Sequence, residues 1–303
     1  MTQENFSQTS FNLPKVRGTY RFNVDLSKTN WFRVGGPAQI LFLPKDADDL
    51  AFFLKNRPQD LPISVLGVGS NIIIRDGGIE GVVIKLGGGF AQINYQNNNL
   101  QIGGGCLCSN AALYCKINGL ANLEFLTGIP GSVGGAINMN AGCYDGDVAS
   151  NLISATAVDF DGNIFELSNE DFGFKYRGNS LPKNLIFVAG TFKVEKSTAE
   201  NVGKKIAEFN QKREAAQPIR SKTGGSTFKN PADKKAWQLI DEAGCRGMKI
   251  GDAQISEKHC NFMINTGNAK ARDLIDLGNL VIDKVKAKSG LTLEWEIKVI
   301  GKD

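Results

Sequence analysis

Hydrophobic residues along the chain fall into short runs and helical repeats, and the changes between the two mark out elements. Gln39 to Leu43 is an apolar run closed by Pro44 and reads as a strand. Asp46 then caps a predicted helix reaching Asn56, with Leu50, Phe53 and Leu54 on one face. Ile63 to Leu66 reads as a second strand, and Ile72–Ile74 and Val82–Ile84 as further β-branched strands between glycines. Helical spacing covers Ser109 to Ile117, where Leu113 and Ile117 stand four apart. From Ala155 to Leu167 two alternating runs flank Asp161-Gly162, a hairpin signal.

After this the composition changes. Thr198 to Ala216 is charged and helix-favouring, and Pro218 lies just beyond it. A longer helix is predicted from Ala269 to Lys288, with Leu274, Leu277, Val281 and Val285 on one stripe and Gly290 as its stop. Leu291 to Ile300 alternates like a last strand. Strands and helices intermix without a repeat, so the expected class is α+β. The boundary is placed near Lys196, giving an N-terminal module 1–196 (subdomains about 20–85 and 86–196) and a C-terminal domain 197–303.

Composition narrows the function. The 303 residues carry Lys+Arg 35 against Asp+Glu 31, a formal charge of +4, too mild and too dispersed to suggest nucleic acid. Histidine occurs once, at His259, so no metal site with two imidazoles can be built and none is expected. The six cysteines form no C-x-x-C pair and read as small buried hydrophobes in a reducing compartment. The first residues resemble no signal peptide and no run is long enough to cross a membrane, so a cytoplasmic protein without a membrane partner is expected. Nothing fixes an oligomeric state, and a monomer fits.

Glycine is the informative residue. Of 35 glycines, seventeen lie between Gly67 and Gly142. Gly67-Val68-Gly69-Ser70-Asn71 is a strand opening into a turn whose backbone N–H groups could meet phosphate, yet it equals neither G-x-G-x-x-G nor a P-loop. Leu126 to Gly142 is an uncharged, glycine-rich stretch suited to a pyrophosphate or a flat ring. Each reads also as a plain structural turn. Three further segments hold candidate chemistry: Tyr176-Arg177, then Gly224-Gly225-Ser226 ahead of Asn230, and Glu294-Trp295-Glu296.

Taken in order, VLGVGSN, LTGIPGSVGGAINMNAG, YR, GGSTFKNP and LEWEIKVIG resemble the UDP-N-acetylenolpyruvoylglucosamine reductase family from about Thr29 to Gly301. The resemblance implies a two-subdomain FAD-binding module of the vanillyl-alcohol-oxidase/PCMH type, followed by a smaller α+β substrate-binding domain. It implies an oxidoreductase of peptidoglycan synthesis in which NADPH reduces FAD, which then reduces UDP-N-acetylglucosamine enolpyruvate. By the same resemblance Arg177 holds the substrate carboxylate, Ser226 donates the proton and Glu296 supports the developing charge. Cofactor contacts would fall on Arg33, Gly67, Gly69, Ser70, Asn71, Thr127, Gly128, Pro130, Gly131, Ser132, Gly134, Gly135 and Asn138. Substrate contacts would fall on Tyr176, Asn230, Gln254 and His259. The family reads Tyr-Arg-x-Ser where this chain has Gly178-Asn179-Ser180 after Arg177, so no role passes to Ser180. No segment between Tyr176 and Ser226 is long enough for a covering tyrosine loop, which places the chain in the branch lacking it. With no histidine before residue 259, a histidyl tether in the flavin module is excluded and dissociable FAD is expected. A hydroxy-acid or sugar oxidase on the same scaffold would need a base that Arg177, Ser226 and Glu296 do not supply, and a non-catalytic binding module would leave all three idle.

Overall fold

The computed structural model describes residues 11–144 and 146–303. The chain divides into two compact units, and each is built from separated stretches of sequence. The described residues up to Phe22, with Ile40–Gly67 and Gly81–Gln211, make the first; Asn23–Gln39, Val68–Glu80 and Lys212–Asp303 make the second.

Two sheets organise the first unit. One has the strand order Thr19–Asp25, Pro37–Leu43, Ile79–Lys85, Ile63–Leu66. Its last two strands run parallel, with Ile63 opposite Val82 and Leu66 opposite Lys85. The helix Ala47–Asn56 covers it, started by the Asp46 carboxylate accepting the Asp49 N–H at 3.0 Å. Leu50, Phe53 and Leu54 pack there on Ile40, Phe42, Val82 and Ile84. The other sheet is antiparallel, in the order Ile164–Ser168, Leu152–Asp159, Leu185–Lys193, Asn99–Gly103, Ile93–Gln96. Gly162, at φ +83, turns the Asp161-Gly162 hairpin as its dipeptide predicts. Leu100, Ile102, Ala157, Phe187 and Phe192 line its buried face, against the short helix Val133–Asn138, in one core with the helix Cys108–Asn118.

That helix presents a face different from the expected one. Leu113 is 52% exposed and Ile117 68%, while Cys108, Ala111, Ala112 and Cys115 are buried. Its small side chains pack against the turn Glu124–Gly128 and the short strand Leu120–Ala121, while Leu113 and Ile117 are left in water. All six cysteines are free and five are buried.

The second unit has a four-stranded sheet ordered Lys222–Ser226, Phe262–Asn265, Ala253–Ile255, Lys249–Ile250. The helix Ala271–Ser289 buries Leu274, Leu277, Val281 and Val285 as its periodicity predicts, and Gly290 ends it at φ +75. The expected strand over 291–300 is shorter: only Lys298–Ile300 is strand, pairing in parallel with Ile72–Ile74. Segments from early in the sequence also belong here. Phe32, Val34 and Ile73 share one core with Leu274, Leu277 and Ile297, and Asn265 donates to the Phe32 carbonyl at 2.8 Å. The structure therefore differs from a single cut near Lys196. Residues 23–39 and 68–80 belong with the C-terminal part, where Phe32, Val34 and Ile73 are buried, and the helix Ala199–Ala216 starts in the first unit.

Candidate functional site

In the first unit the glycine-rich segments meet one another. The strand Ile63–Leu66 ends at Gly67, where a Cβ would come 3.0 Å from the Ser132 hydroxyl. Ser132 caps the short helix Val133–Asn138. Val133 N donates to Cys106 O and Gly134 N to Gly104 O, each at 2.9 Å. A Cβ on Gly134 would lie 2.6 Å from the Phe187 carbonyl, so glycine is required there by packing. Gly67, Gly135 and Asn138 remain exposed, with Pro130 and Gly131 half-buried. The result is a floor of bare, uncharged backbone. Gly128 belongs to a 3-10 turn, Glu124–Gly128, where Cys143 Sγ and the Tyr144 ring leave no room for a side chain. Thr127 is tied by its hydroxyl to Asn210 Oδ1 at 3.2 Å.

Beside this floor Tyr176 and Arg177 occupy the tip of a tight turn closed by Lys175 N→Gly178 O and Gly178 N→Lys175 O. Arg177 takes φ +57, a region that residues with a Cβ adopt rarely. Its guanidinium donates to Gly142 O at 3.0 Å and lies 5.0 Å from the Tyr176 ring centroid. Two asparagines hold the turn down. Asn140 Nδ2 donates to Lys175 O at 3.1 Å, and Asn179 Nδ2 to Asn138 O at 2.9 Å. The sequence reading missed Asn140 and Asn179 in these roles, because their partners lie about forty residues away. Ser180 donates to Gly173 O, a bond that closes its own loop.

The second unit carries the remaining candidates. Gly69 is buried at φ +71, and a Cβ would strike Asn30. Asn71 clasps the C-terminal segment, its amide donating to Glu296 O and its own carbonyl accepting Lys298 N, both at 3.1 Å. Ser70 is half-buried. Arg33 is exposed at φ +59, with its guanidinium on Lys28 O.

Ser226 closes the strand Lys222–Ser226 opposite Phe262, after a register slip at Gly224-Gly225. Gly225 sits at φ +80, so the glycine pair serves a bulge that re-aims the serine. Next to it, Glu296 N donates to Thr227 O at 2.8 Å and Lys229 N to Glu294 O at 2.9 Å. The segments bearing Ser226 and Glu296 therefore run side by side. Glu294 is exposed and paired with Lys229 Nζ at 3.2 Å, which separates the two carboxylates of the motif by environment. Buried Asn261 fixes the serine segment, accepting Phe228 N at 2.9 Å and donating to Phe228 O at 2.8 Å. It too was not legible beforehand.

The expected substrate contacts have local partners. Asn230 Oδ1 accepts Ala236 N at 3.0 Å at the start of the helix Ala236–Glu242. Gln254 is buried and its amide points to Gly247 O. His259 is half-buried, edge-on to Phe262 at 4.8 Å, and its Nδ1 accepts Asn261 N at 3.3 Å. Burial, with help from the Arg246 guanidinium, lowers its pKa. No cluster of ligating side chains suited to a metal occurs among the described residues, and no helix there is long and apolar enough to cross a membrane.

Residues 38–168 match a family model described as FAD binding domain. Residues 217–300 match the UDP-N-acetylenolpyruvoylglucosamine reductase C-terminal domain. A UDP-N-acetylenolpyruvoylglucosamine reductase of Rickettsia bellii (strain RML369-C) is 53% identical over 292 residues, spanning 96% of this chain and 97% of that protein. One of Rickettsia massiliae (strain Mtu5) is 51% identical over 96% of this chain and 98% of its own. The crystal structure of a UDP-N-acetylenolpyruvylglucosamine reductase from Thermus caldophilus superposes with TM-score 0.81 at 33% identity, covering 95% of this chain and 100% of that one.

Proposed function

The chain belongs to the UDP-N-acetylenolpyruvoylglucosamine reductase family, and from that premise we propose how its residues divide the work. It is an FAD-dependent oxidoreductase of peptidoglycan synthesis, reducing UDP-N-acetylglucosamine enolpyruvate to UDP-N-acetylmuramate with NADPH as donor. The residues present fit the flavin: Gly67 and Gly135 are exposed and Gly131 half-buried, an uncharged glycine backbone flanked by the Ser132 hydroxyl, with exposed Asn138 beside it. FAD, when bound there, would supply the hydride chemistry that links NADPH to the second substrate. Thr127, Gly128, Pro130, Ser132 and Gly134 are assigned to the cofactor as well, and so are Arg33, Gly69, Ser70 and Asn71.

Hydride arrival at the terminal enolpyruvyl carbon leaves negative charge shared between the adjacent carbon and the carboxylate. Arg177 meets the carboxylate with a fixed fork of donors. Ser226 delivers the proton, since a hydroxyl is acid enough for a carbanionic carbon. Glu296 hydrogen-bonds the growing charge. The observation that carries this reading is the lacing of the Ser226 and Glu296 segments through Thr227. Tyr176, Asn230, Gln254 and His259 are assigned to the substrate side. FAD is held without a covalent bond, so denaturation releases all yellow colour from the polypeptide. The site of action is the cytoplasm.

The test separates the half-reactions. Under anaerobic conditions NADPH bleaches the flavin of both wild type and Ser226→Ala. Only the wild type recovers its colour rapidly on addition of the enolpyruvyl sugar nucleotide; the variant is slower by about 10²-fold or more. Equal slowing of both halves would remove Ser226 from the proton-donor role. Glu296→Gln is expected to damage the second half selectively, and near-normal reoxidation would sink that assignment.

A further inference from the structure

A β-bulge bends its strand and re-aims the side chains beside it, so whatever holds its two ends sets their direction. The strand Lys222–Ser226 carries such a bulge. Thr223 stands opposite Ile264 and Ser226 opposite Phe262, so Gly224 and Gly225 share the one position of Met263. Gly224 is packed, since a Cβ there would lie 2.4 Å from the Phe32 ring. Gly225 is not. It sits at φ +80, and a Cβ on it would meet nothing within 4 Å. Ser226 therefore follows directly on a residue that packing leaves free, and glycine is the most conformationally permissive of residues.

Two hydroxyls bracket the bulge. Thr223, immediately before the glycine pair, donates from Oγ1 to Met263 O at 2.6 Å. Thr227, immediately after Ser226, accepts Met263 N at its Oγ1 at 3.1 Å. Both reach the one residue that faces the bulge, one at its carbonyl and the other at its N–H. Thr223, Thr227 and Met263 are all buried. The β-branch leaves each threonine few χ1 choices, so each hydroxyl is a stiff link. The second link is itself anchored: Thr227 N donates to Asn261 O at 2.7 Å, and Thr227 O accepts Glu296 N at 2.8 Å. Valine has the same branched shape and suits a buried strand as well, so the sheet by itself does not ask for a hydroxyl at both ends.

We propose that the hydroxyls of Thr223 and Thr227 are positioning groups for the reaction: by pinning both ends of the Gly224-Gly225 bulge to Met263, they hold Ser226 in the pose that delivers its proton. The inference rests on the reading of Ser226 as the proton donor.

Holoenzyme variants followed through the two half-reactions test it. In Thr223→Val and in Thr227→Val, bleaching by NADPH is expected within about twofold of wild type, while reoxidation by the enolpyruvyl sugar nucleotide slows about 10–100-fold, as for a reacting group displaced by up to about 1 Å. Thr223→Ser and Thr227→Ser keep the hydroxyl and should reoxidise within about threefold of wild type, a comparison that holds even where a valine variant folds poorly. The deciding readout is the double variant. Threonines acting through Ser226 predict that Thr223→Val added to Ser226→Ala slows reoxidation no further. Multiplied slowing in that pair, near-normal reoxidation in either valine variant, or serine variants as slow as the valine ones each overturns the proposal, and the hydroxyls would then serve the fold alone. Reoxidation of Ser226→Ala at the wild-type rate would instead overturn the reading of Ser226 itself.

Discussion

Asn140 shows what a single side chain does here. It is buried at φ +43, a conformation that asparagine tolerates better than most residues. Its amide donates to Lys175 O and its oxygen accepts Ala149 N at 3.0 Å, so one residue joins the glycine-rich segment to the Arg177 turn. Arg177 itself sits in the left-handed region, where a non-glycine residue costs on the order of 1–3 kcal/mol and persists only if its surroundings hold it. Asn140→Ala leaves two backbone groups without partners. Because Lys175 is exposed and Ala149 half-buried, the loss is about 0.5–1.5 kcal/mol per hydrogen bond, visible as a lower urea midpoint. If Asn140 also orients Arg177, flavin bleaching by NADPH survives while KM for the enolpyruvyl substrate rises. A variant with lowered stability but unchanged KM would confine Asn140 to the fold.

Among elements, the legible ones were those whose signals are local. Asp46 and the helix it caps, the Asp161-Gly162 hairpin, and the stripe Leu274, Leu277, Val281, Val285 all carry their reason within a few residues of themselves. The segment Leu291 to Ile297 alternates but does not extend a sheet, because its neighbours are Thr227 and Phe228, far back in sequence. The same distance hid Asn261, whose amide pairs with both backbone groups of Phe228 and substitutes for a missing strand. The motifs named Ser226 and Glu296, but only the fold supplies the clasp that sets them side by side. Asn261→Ala is therefore expected to cost about 2 kcal/mol or more, since both Phe228 groups lose their partner at a buried site. Equilibrium urea unfolding measures it. A loss under about 0.5 kcal/mol would mean that the serine segment is held by Thr227 and the Glu296 backbone without help.

At the scale of the whole molecule, the single histidine makes one stretch of the pH axis readable. Between about pH 5.5 and 7 imidazole is the side chain that ordinarily titrates, and this chain has one. In the folded protein burial holds His259 below its ordinary value, and the Arg246 guanidinium pushes the same way. Its Nδ1 accepts the Asn261 N–H, which also requires the neutral ring. The unfolded chain, with a pKa near 6.5, thus binds more protons than the folded one as pH falls through that value. Stability is fully present above the unfolded pKa and declines as pH drops toward the folded pKa. Urea midpoints of wild type should fall from pH 7.5 to 5.5, and His259→Gln should flatten that fall. Parallel pH profiles for the two proteins would show that His259 titrates alike folded and unfolded. The ring protonated at low pH is bonded to the same asparagine that pairs with Phe228. Acid should therefore loosen the Ser226 segment before global unfolding, detectable as slower flavin reoxidation by substrate in wild type at pH 5.5 while bleaching by NADPH is spared.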